Sequence, residues 1–472
     1  MGRTIGVRMG LLGSLLLAYT GFARGAEPVP IGSDRQLFVD TYLIDAMTGV
    51  ARQLNRPVRR EIAIAAAHPW EKGGVSYMVT FRDGGRFRAW YRCDQEMPIR
   101  GKRKPLIAYA ESEDGIHWTK PRLGLIEFSG SKDNNLVWAG PGNNMCPFRD
   151  GNPDAPADER YKAIVRSGAV FALVSPDGLR WRLMQKQPIL TDRPFDSHNI
   201  AFWDQWRGEY VVYTRGVAGR GKFKGGVRWI RRATSKDFRD WSPLEAIDAG
   251  NAPFEHLYTN ACVPYERARG VYLMFPSRFV VDREPKPNWQ YGPGVNDIVF
   301  MSSRDGLHFD RSFMEAFVRP GPDHGNWHER AVYMERGILR TSPTELSLYG
   351  MENWRLPTVH IRRYTLRVDG FVSINAGYRP GELLTKPLTF AGRELEINYA
   401  TSAVGSIRVE LRDAANKPIP GYMLGDCLEM FGDEIERIVP WRCSADVSSL
   451  SGRPIRLRFV MRDADLYSFR FR

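Results

Sequence analysis

The sequence predicts an all-β chain: a five-bladed β-propeller over residues 34–368, followed by a β-sandwich over residues 369–472. Three observations carry this reading. A turn phrase of the form Ser-x-Asp-(Gly)-x-x-Trp/Phe occurs four times, as "SEDGIHW", "SPDGLRW", "SKDFRDW" and "SRDGLHF". Its serines, Ser112, Ser175, Ser235 and Ser303, recur roughly every 60–70 residues, the length of a four-stranded blade with its loops. Past about Val368 the phrase stops while alternating strand-like segments continue.

Taken in order, the chain opens with Arg3 and Arg8, an apolar run from Met9 to Phe22, and "ARGAEP". This has the make-up of a signal peptide over residues 1–25, with cleavage after Gly25 or Ala26. A membrane anchor is the rival reading, but the run is short of the ~20 residues a span needs. The reading implies a secreted or periplasmic protein with no membrane span once the signal is removed. "DRQLFVDTYLID" (Asp34–Asp45) is a candidate strand to close the ring. Within each blade a second phrase precedes the Asp turn: "GRFRAWYR" (Gly85–Arg92), "ERYKAIVR" (Glu159–Arg166), "GEYVVYTR" (Gly208–Arg215) and "GVYLMFPSR" (Gly270–Arg278). Their β-branched and aromatic content reads as strand. The turn itself follows from local chemistry: Asp-Gly favours a tight hairpin, and Asp and Ser side chains bond nearby backbone. A fifth blade lacking the Asp turn is expected over Arg330–Gly350 and Thr358–Leu366. "GELLTKPLTF", "RELEINYATS", "SIRVELRD" and "IRLRFVMRD" are the strands of the terminal domain.

Composition narrows the partners. Charged residues make up 26% and hydrophobic ones 43%, a soluble globular balance. The net charge of +13 falls to about +10 without the leader. Export argues against nucleic acid. The positive charge suits an anionic glycan or surface, although the arginines are spread along the chain with no long block, which fits a dispersed basic surface without a specific partner better. Five cysteines leave at least one unpaired; Cys427 and Cys443 are near enough in sequence to bridge, and Cys93, Cys146 and Cys262 sit in apolar runs.

Asp-turn phrases ending in an aromatic, on a five-bladed propeller, resemble the Asp-box of sialidases and the furanosidase-type glycoside hydrolases (the arabinanase, invertase and levansucrase superfamily). "LFVDTYLID", "ESEDGIHWTKPRLGLIEF", "SKDNNLVW" and "DADLYSFRF" resemble, over nearly the whole mature chain, a group of exported bacterial glycosyl-hydrolase-like proteins. The resemblance implies an exported glycoside hydrolase acting on a poly- or oligosaccharide. The Asn-Asp-Pro-Asn phrase of invertases is absent, so no catalytic triad is carried over.

Candidate site residues come from the starts of the innermost strands, which line a propeller's channel. These are His68, Trp70 and Glu71; Asn143, Asn144, Arg149 and Asp150; Asp196, His198 and Asn199; Glu255, His256, Tyr258 and Asn260; and His324, Trp327, His328, Glu329 and Arg330. Glycoside hydrolysis needs two carboxyl groups across the scissile bond. Asp196, Glu255, Glu71 and Glu329 are the catalytic candidates, with Asp196 and Glu255 the favoured pair. Trp70, Tyr258 and Trp327 suit sugar stacking, His198, Asn199, His256 and His328 suit hydroxyl binding, and Arg278 and Arg330 suit an anionic group. Asp114, Asp177, Asp237 and Asp305 are read as turn residues. No HxH or HExxH spacing points to a metal, and no cofactor is expected. Two other readings remain beside the hydrolase: a non-catalytic glycan-binding propeller, and a polysaccharide lyase using His or Tyr as base with Arg against a uronate.

Overall fold

A computed structural model of the chain describes residues 1–2, 27–95, 105–218, 226–284 and 292–472. The signal-like segment lies outside the described residues. Among the described residues every regular element is a strand, apart from four single-turn 3₁₀ helices.

Three sheets share one plan, four antiparallel strands in sequence order. The first holds Gly74–Asp83, Arg86–Asp94, Leu106–Ser112 and Leu136–Trp138. The second holds Asn143–Arg149, Tyr161–Ser167, Ala169–Ser175 and Arg182–Leu183. The third holds Ile200–Asp204, Glu209–Ala218, Val227–Ser235 and Glu245–Ala246. The fourth unit is broken into two ladders, His256–Tyr258 with Ser277–Val280 and Val295–Ile298, and Val263–Pro264 with Tyr272–Met274, Met301–Ser303 and Phe309–Asp310. Thr259 and Ala261 take left-handed backbone between the two innermost pieces, and Pro276, which has no N–H, separates Met274 from Ser277. The fifth unit joins Tyr333–Met334, Glu345–Glu352 and His360–Arg367. Each unit touches the next, and the fifth touches the first, so the contacts run in a cycle. At the closure, Thr80 and Arg336 bond backbone to backbone, N–H to O at 2.9 Å.

The strand that completes the fifth unit is Val58–Ala65, antiparallel to His360–Arg367. This corrects the expectation for Asp34–Asp45. That segment enters the terminal sheet instead, where Gln36–Leu37 pairs with Ile455–Phe471 and Ile44–Thr48 with Gly381–Thr385. Its partners lie more than 300 residues away in sequence, so local pattern does not reveal them. In all, four strands between Val29 and Leu54 join the C-terminal strands in one ten-stranded sheet. Two long members, Leu395–Asp413 and Ile455–Phe471, pair along most of their length and carry a core including Ile397, Val409, Leu457 and Phe459. Cys427 and Cys443, the suggested bridge, are both free thiols.

The four Asp turns are equivalent in hydrogen bonding and place. Each lies between the third and fourth strands of its unit. In each, one Asp oxygen accepts two successive backbone N–H groups, as Asp177 does from Leu179 and Arg180, both at 2.8 Å. Asp114, Asp237 and Asp305 repeat this at 2.7–2.9 Å. The residue after the Asp is left-handed in all four, Gly115, Gly178, Phe238 and Gly306, with φ between 65° and 79°. Three of these residues also hold the neighbouring unit. Tyr349 of the fifth unit donates to the Gly115 carbonyl, Trp90 of the first to that of Gly178 at 2.8 Å, and Tyr213 of the third to that of Gly306 at 2.5 Å. At the remaining turn Phe238 packs edge-on against Phe148 of the second unit, ring centres 5.6 Å apart.

Candidate active site

The innermost strands do not run straight into the channel. Tyr77, Asn144, Thr259 and Arg330, at corresponding points of four units, all have φ between 52° and 62°. In the first two units the ladder register also slips here. Such bulges re-aim side chains, and each left-handed non-glycine residue costs about 1–3 kcal/mol that the surroundings must offset. Arg330 lines a pocket of about 50 Å³ between the third, fourth and fifth units. Asp196, Arg215, Arg228, Tyr258, Ser277, Phe279, Asn296, Arg330 and Tyr333 line it.

Three of the predicted residues, Asp196, Tyr258 and Arg330, therefore meet there. Asp196 accepts the Ser197 backbone N–H at 2.9 Å and shares the pocket wall with the Tyr258 phenol; burial first, then the charges of Tyr77 and Asp196, holds that phenol well above its ordinary pKa. His198 sits one layer deeper, edge-on to Tyr77 at 5.5 Å, with Nε2 3.4 Å from the Met145 carbonyl. Burial pushes its pKa down to about 4. Asn199 is buried beside it, and Asn260 donates to the His198 carbonyl at 3.2 Å. His256 accepts the Arg228 backbone N–H at 3.0 Å, so it supports the pocket wall.

The other candidates lie elsewhere. Glu255, the favoured partner of Asp196, is not among the lining residues. His256 and Tyr258 pair across from Phe279 and Ser277, and strand alternation turns Glu255 to the opposite face. There it meets Arg278 at 3.3 Å and Arg311 at 3.2 Å, and Arg278 also holds Asp297 at 2.6 Å. Arg278 is thus committed to carboxylates. Glu71 is fully buried and saturated: it accepts from the Ala67 and His68 N–H groups, from the Tyr91 hydroxyl at 2.7 Å and from Lys120 at 2.8 Å. Trp70 donates to Asn135 at 2.9 Å inside the first sheet. Glu329 is held by Arg355 and lies 3.5 Å from Arg330. Trp327 donates to the Gly321 carbonyl at 2.7 Å, and His328 is buried, its Nδ1 2.9 Å from the Glu329 carbonyl. Asn144 bridges Arg92 and Ser197, and Asp150 holds Lys162. Arg149 pairs with Asp83. Among the described residues no group of three or more His, Cys, Asp and Glu side chains is arranged to hold a metal.

Sequence reasoning missed Arg215, Arg228, Tyr333 and Glu335. Arg215 ends the phrase "GEYVVYTR", and all four such phrases end in arginine. In an antiparallel pair the second strand ends where the first begins, so Arg92, Arg166, Arg215 and Arg278 fall at the level where the innermost strands begin. Glu335 follows Met334 in the innermost strand of the fifth unit and is 2% exposed. Burial pushes its carboxyl well above the usual range, only partly offset by the Tyr77 and Met78 backbone.

No family model matches the chain. Two uncharacterized proteins from strains of Mycobacterium tuberculosis are each 29% identical to it, over 158 and 160 residues. The matches cover 32% of this chain and 49% of each relative, so the chain spans about half the length of the curated relatives it matches. Among solved structures it is similar to a BT0996–RGII complex, with TM-score 0.47 and 15% identity over 66% of this chain and 92% of that one. It is also similar to a glycoside hydrolase family 43 arabinoxylan arabinofuranohydrolase from Bacillus subtilis in complex with cellotetraose, with TM-score 0.42 and 14% identity over 85% of this chain and 96% of that one.

Proposed function

We propose that the five units are the blades of a five-bladed propeller, that the terminal sheet is its sandwich-like companion, and that the Asp196 pocket is the centre of an exported glycoside hydrolase. The observation that carries the reading is Asp196 itself. It stands on the wall of a pocket where three units converge, which the rings of Tyr258, Phe279 and Tyr333 also line. Aromatic faces suit sugar rings, and a carboxyl at the scissile bond supplies proton transfer or attack at the anomeric carbon. We take Glu335 as the candidate second carboxyl: it is buried behind the pocket, is not one of its lining residues, and acts with Asp196 on Tyr77. Burial raises the Glu335 carboxyl well above the usual range and so favours its protonated form, the environment a general acid needs.

The test is reducing-sugar release from a panel of neutral, uronic and sulfated glycans. On any glycan the parent cleaves, Asp196→Asn is expected to lower kcat/KM by about 10²–10⁴-fold, the range for acid–base groups. Full activity in that variant removes Asp196 from the chemistry. Ultraviolet absorbance from an unsaturated uronate among the products moves the assignment to a lyase. Saturable binding of a glycan without cleavage moves it to a binding propeller.

A further inference from the structure

Arg215, Arg228 and Arg330 all line the one pocket, against a single lining carboxylate, Asp196. Among the described residues neither Arg215 nor Arg228 is paired with a carboxylate, whereas Arg278, one strand face away, is held by two. The Arg228 guanidinium lies over the Phe279 ring at 5.1 Å and the Tyr258 ring at 5.9 Å. That contact fixes the guanidinium plane by its faces and leaves its N–H edges for a ligand. Arg228 also sits in the unfavourable field of Arg330 and Arg215, which burial reinforces. Arg330 shares Glu329 at 3.5 Å, but Arg215 and Arg228 have only Asp196 on the pocket wall to offset them, and like charges so gathered favour the entry of an anion. Two further groups face the same space. Tyr333 is 1% exposed, yet its hydroxyl has no hydrogen-bond partner. Asn296 donates to Ser277 and to the Val332 carbonyl at 2.6 and 2.7 Å, but its amide oxygen accepts nothing.

We infer that this pocket recognises a sugar ring bearing an oxyanion, a carboxylate or a sulfate, with Arg215, Arg228 and Arg330 around the anion and the Tyr333 hydroxyl as a further donor. The inference rests on the glycan reading above. Guanidinium groups bind carboxylate and sulfate oxygens through paired N–H donors, and the Asn296 amide oxygen is placed to accept from a ring hydroxyl. The free space is about 50 Å³, well below the ~300–1,000 Å³ of pockets that enclose a whole ligand, so the pocket seats the anionic substituent of a sugar rather than a polymer segment.

Binding to the full chain would be measured by calorimetry for glucuronate, galacturonate and glucose 6-sulfate, for their neutral counterparts glucose and galactose, and for inorganic sulfate and phosphate. The expected result is binding of at least one charged sugar about 10–100-fold tighter than its neutral counterpart, the difference one or more charge-assisted hydrogen bonds make. Arg228→Gln and Arg330→Gln should remove that preference, while Arg228→Lys should retain part of it. Tyr333→Phe should weaken charged and not neutral sugars. Melting temperatures of the variants identify any that fail to fold, and Tyr333→Phe then carries the test. Equal binding of a charged sugar and its neutral counterpart overturns the inference and leaves the glycan reading standing. Inorganic anions bound as tightly as any sugar overturn the sugar-borne source and make the ligand a free oxyanion. Binding of neither sugars nor anions overturns both readings.

Discussion

His198 makes the protein sensitive to acid between about pH 6.5 and pH 4. Its ring is 4% exposed, and burial lowers its pKa from about 6.5 to about 4. A histidine whose folded pKa is depressed binds its proton more readily in the unfolded chain. Stability is therefore fully retained above about pH 6.5, falls as the pH drops toward 4, and loses nothing more from this residue below that. Between pH 7 and pH 5 these two pKa values give a loss of about 2 kcal/mol from His198 alone. His328, also buried and also lowered to about 4, adds a similar slope, while His308 is raised by Asp305 at an exposed site and acts in the opposite sense. His198→Gln keeps a donor for the Met145 carbonyl and removes the titration. Urea denaturation at pH 7 and pH 5, followed by tryptophan fluorescence, should show the variant losing about 2 kcal/mol less than the parent across that interval. A packing defect alone shifts both pH values equally and cancels in the difference. Identical losses in parent and variant, or a His198 ring signal titrating near 6.5 by NMR, would refute the reasoning.

Asp369 joins the two parts of the molecule: fully buried, it accepts from the Tyr265 hydroxyl at 2.7 Å, Arg267 at 2.9 Å and Ser468 at 2.8 Å, with Arg35 at 3.5 Å. Burial favours its protonation, but Arg35 and Arg267 outweigh it and the net pKa is lowered; Asp369→Ala leaves Arg35 with Glu396 and Arg267 with Glu436 but removes their shared acceptor, and should cost about 1–3 kcal/mol in urea denaturation, while no measurable loss contradicts the role. Phe238 occupies a left-handed position that its three equivalents fill with glycine. Phe238→Gly relieves about 1–2 kcal/mol of backbone strain but removes a fully buried ring worth about 3–5 kcal/mol, so a melting-temperature decrease is expected, and an increase would show the strain dominates.

What could be read from the sequence follows the range of the interactions. The Asp turns were legible because serine, aspartate and backbone meet within a few residues, and the strands because their side chains alternate. The facing of Glu255 was also legible. If His256 and Tyr258 point inward, the residue before His256 points away, and strand alternation fixes that without coordinates. The fate of Glu71 was not, since Lys120, which neutralises it, lies 49 residues on. The left-handed turns at Tyr77, Asn144, Thr259 and Arg330 leave no mark in composition. The arginine that ends each second-strand phrase was visible, and its meaning needed only the antiparallel pairing of that strand with the one before it.

The strand Val58–Ala65 is laid down long before its partner His360–Arg367 exists. The cycle of sheets therefore cannot shut until nearly 300 further residues have followed, and until then the fifth unit keeps an open edge. The four strands before it wait longer still, for partners reaching to Phe469. Assembly of this molecule is thus governed by its slowest, most distant pairing, and a polypeptide emerging in order spends its whole synthesis with unsatisfied edges. Any cut that keeps residues 29–54 but removes the C-terminal strands would leave those edges bare for good, which makes the two ends of the chain a single unit of inheritance despite their separation.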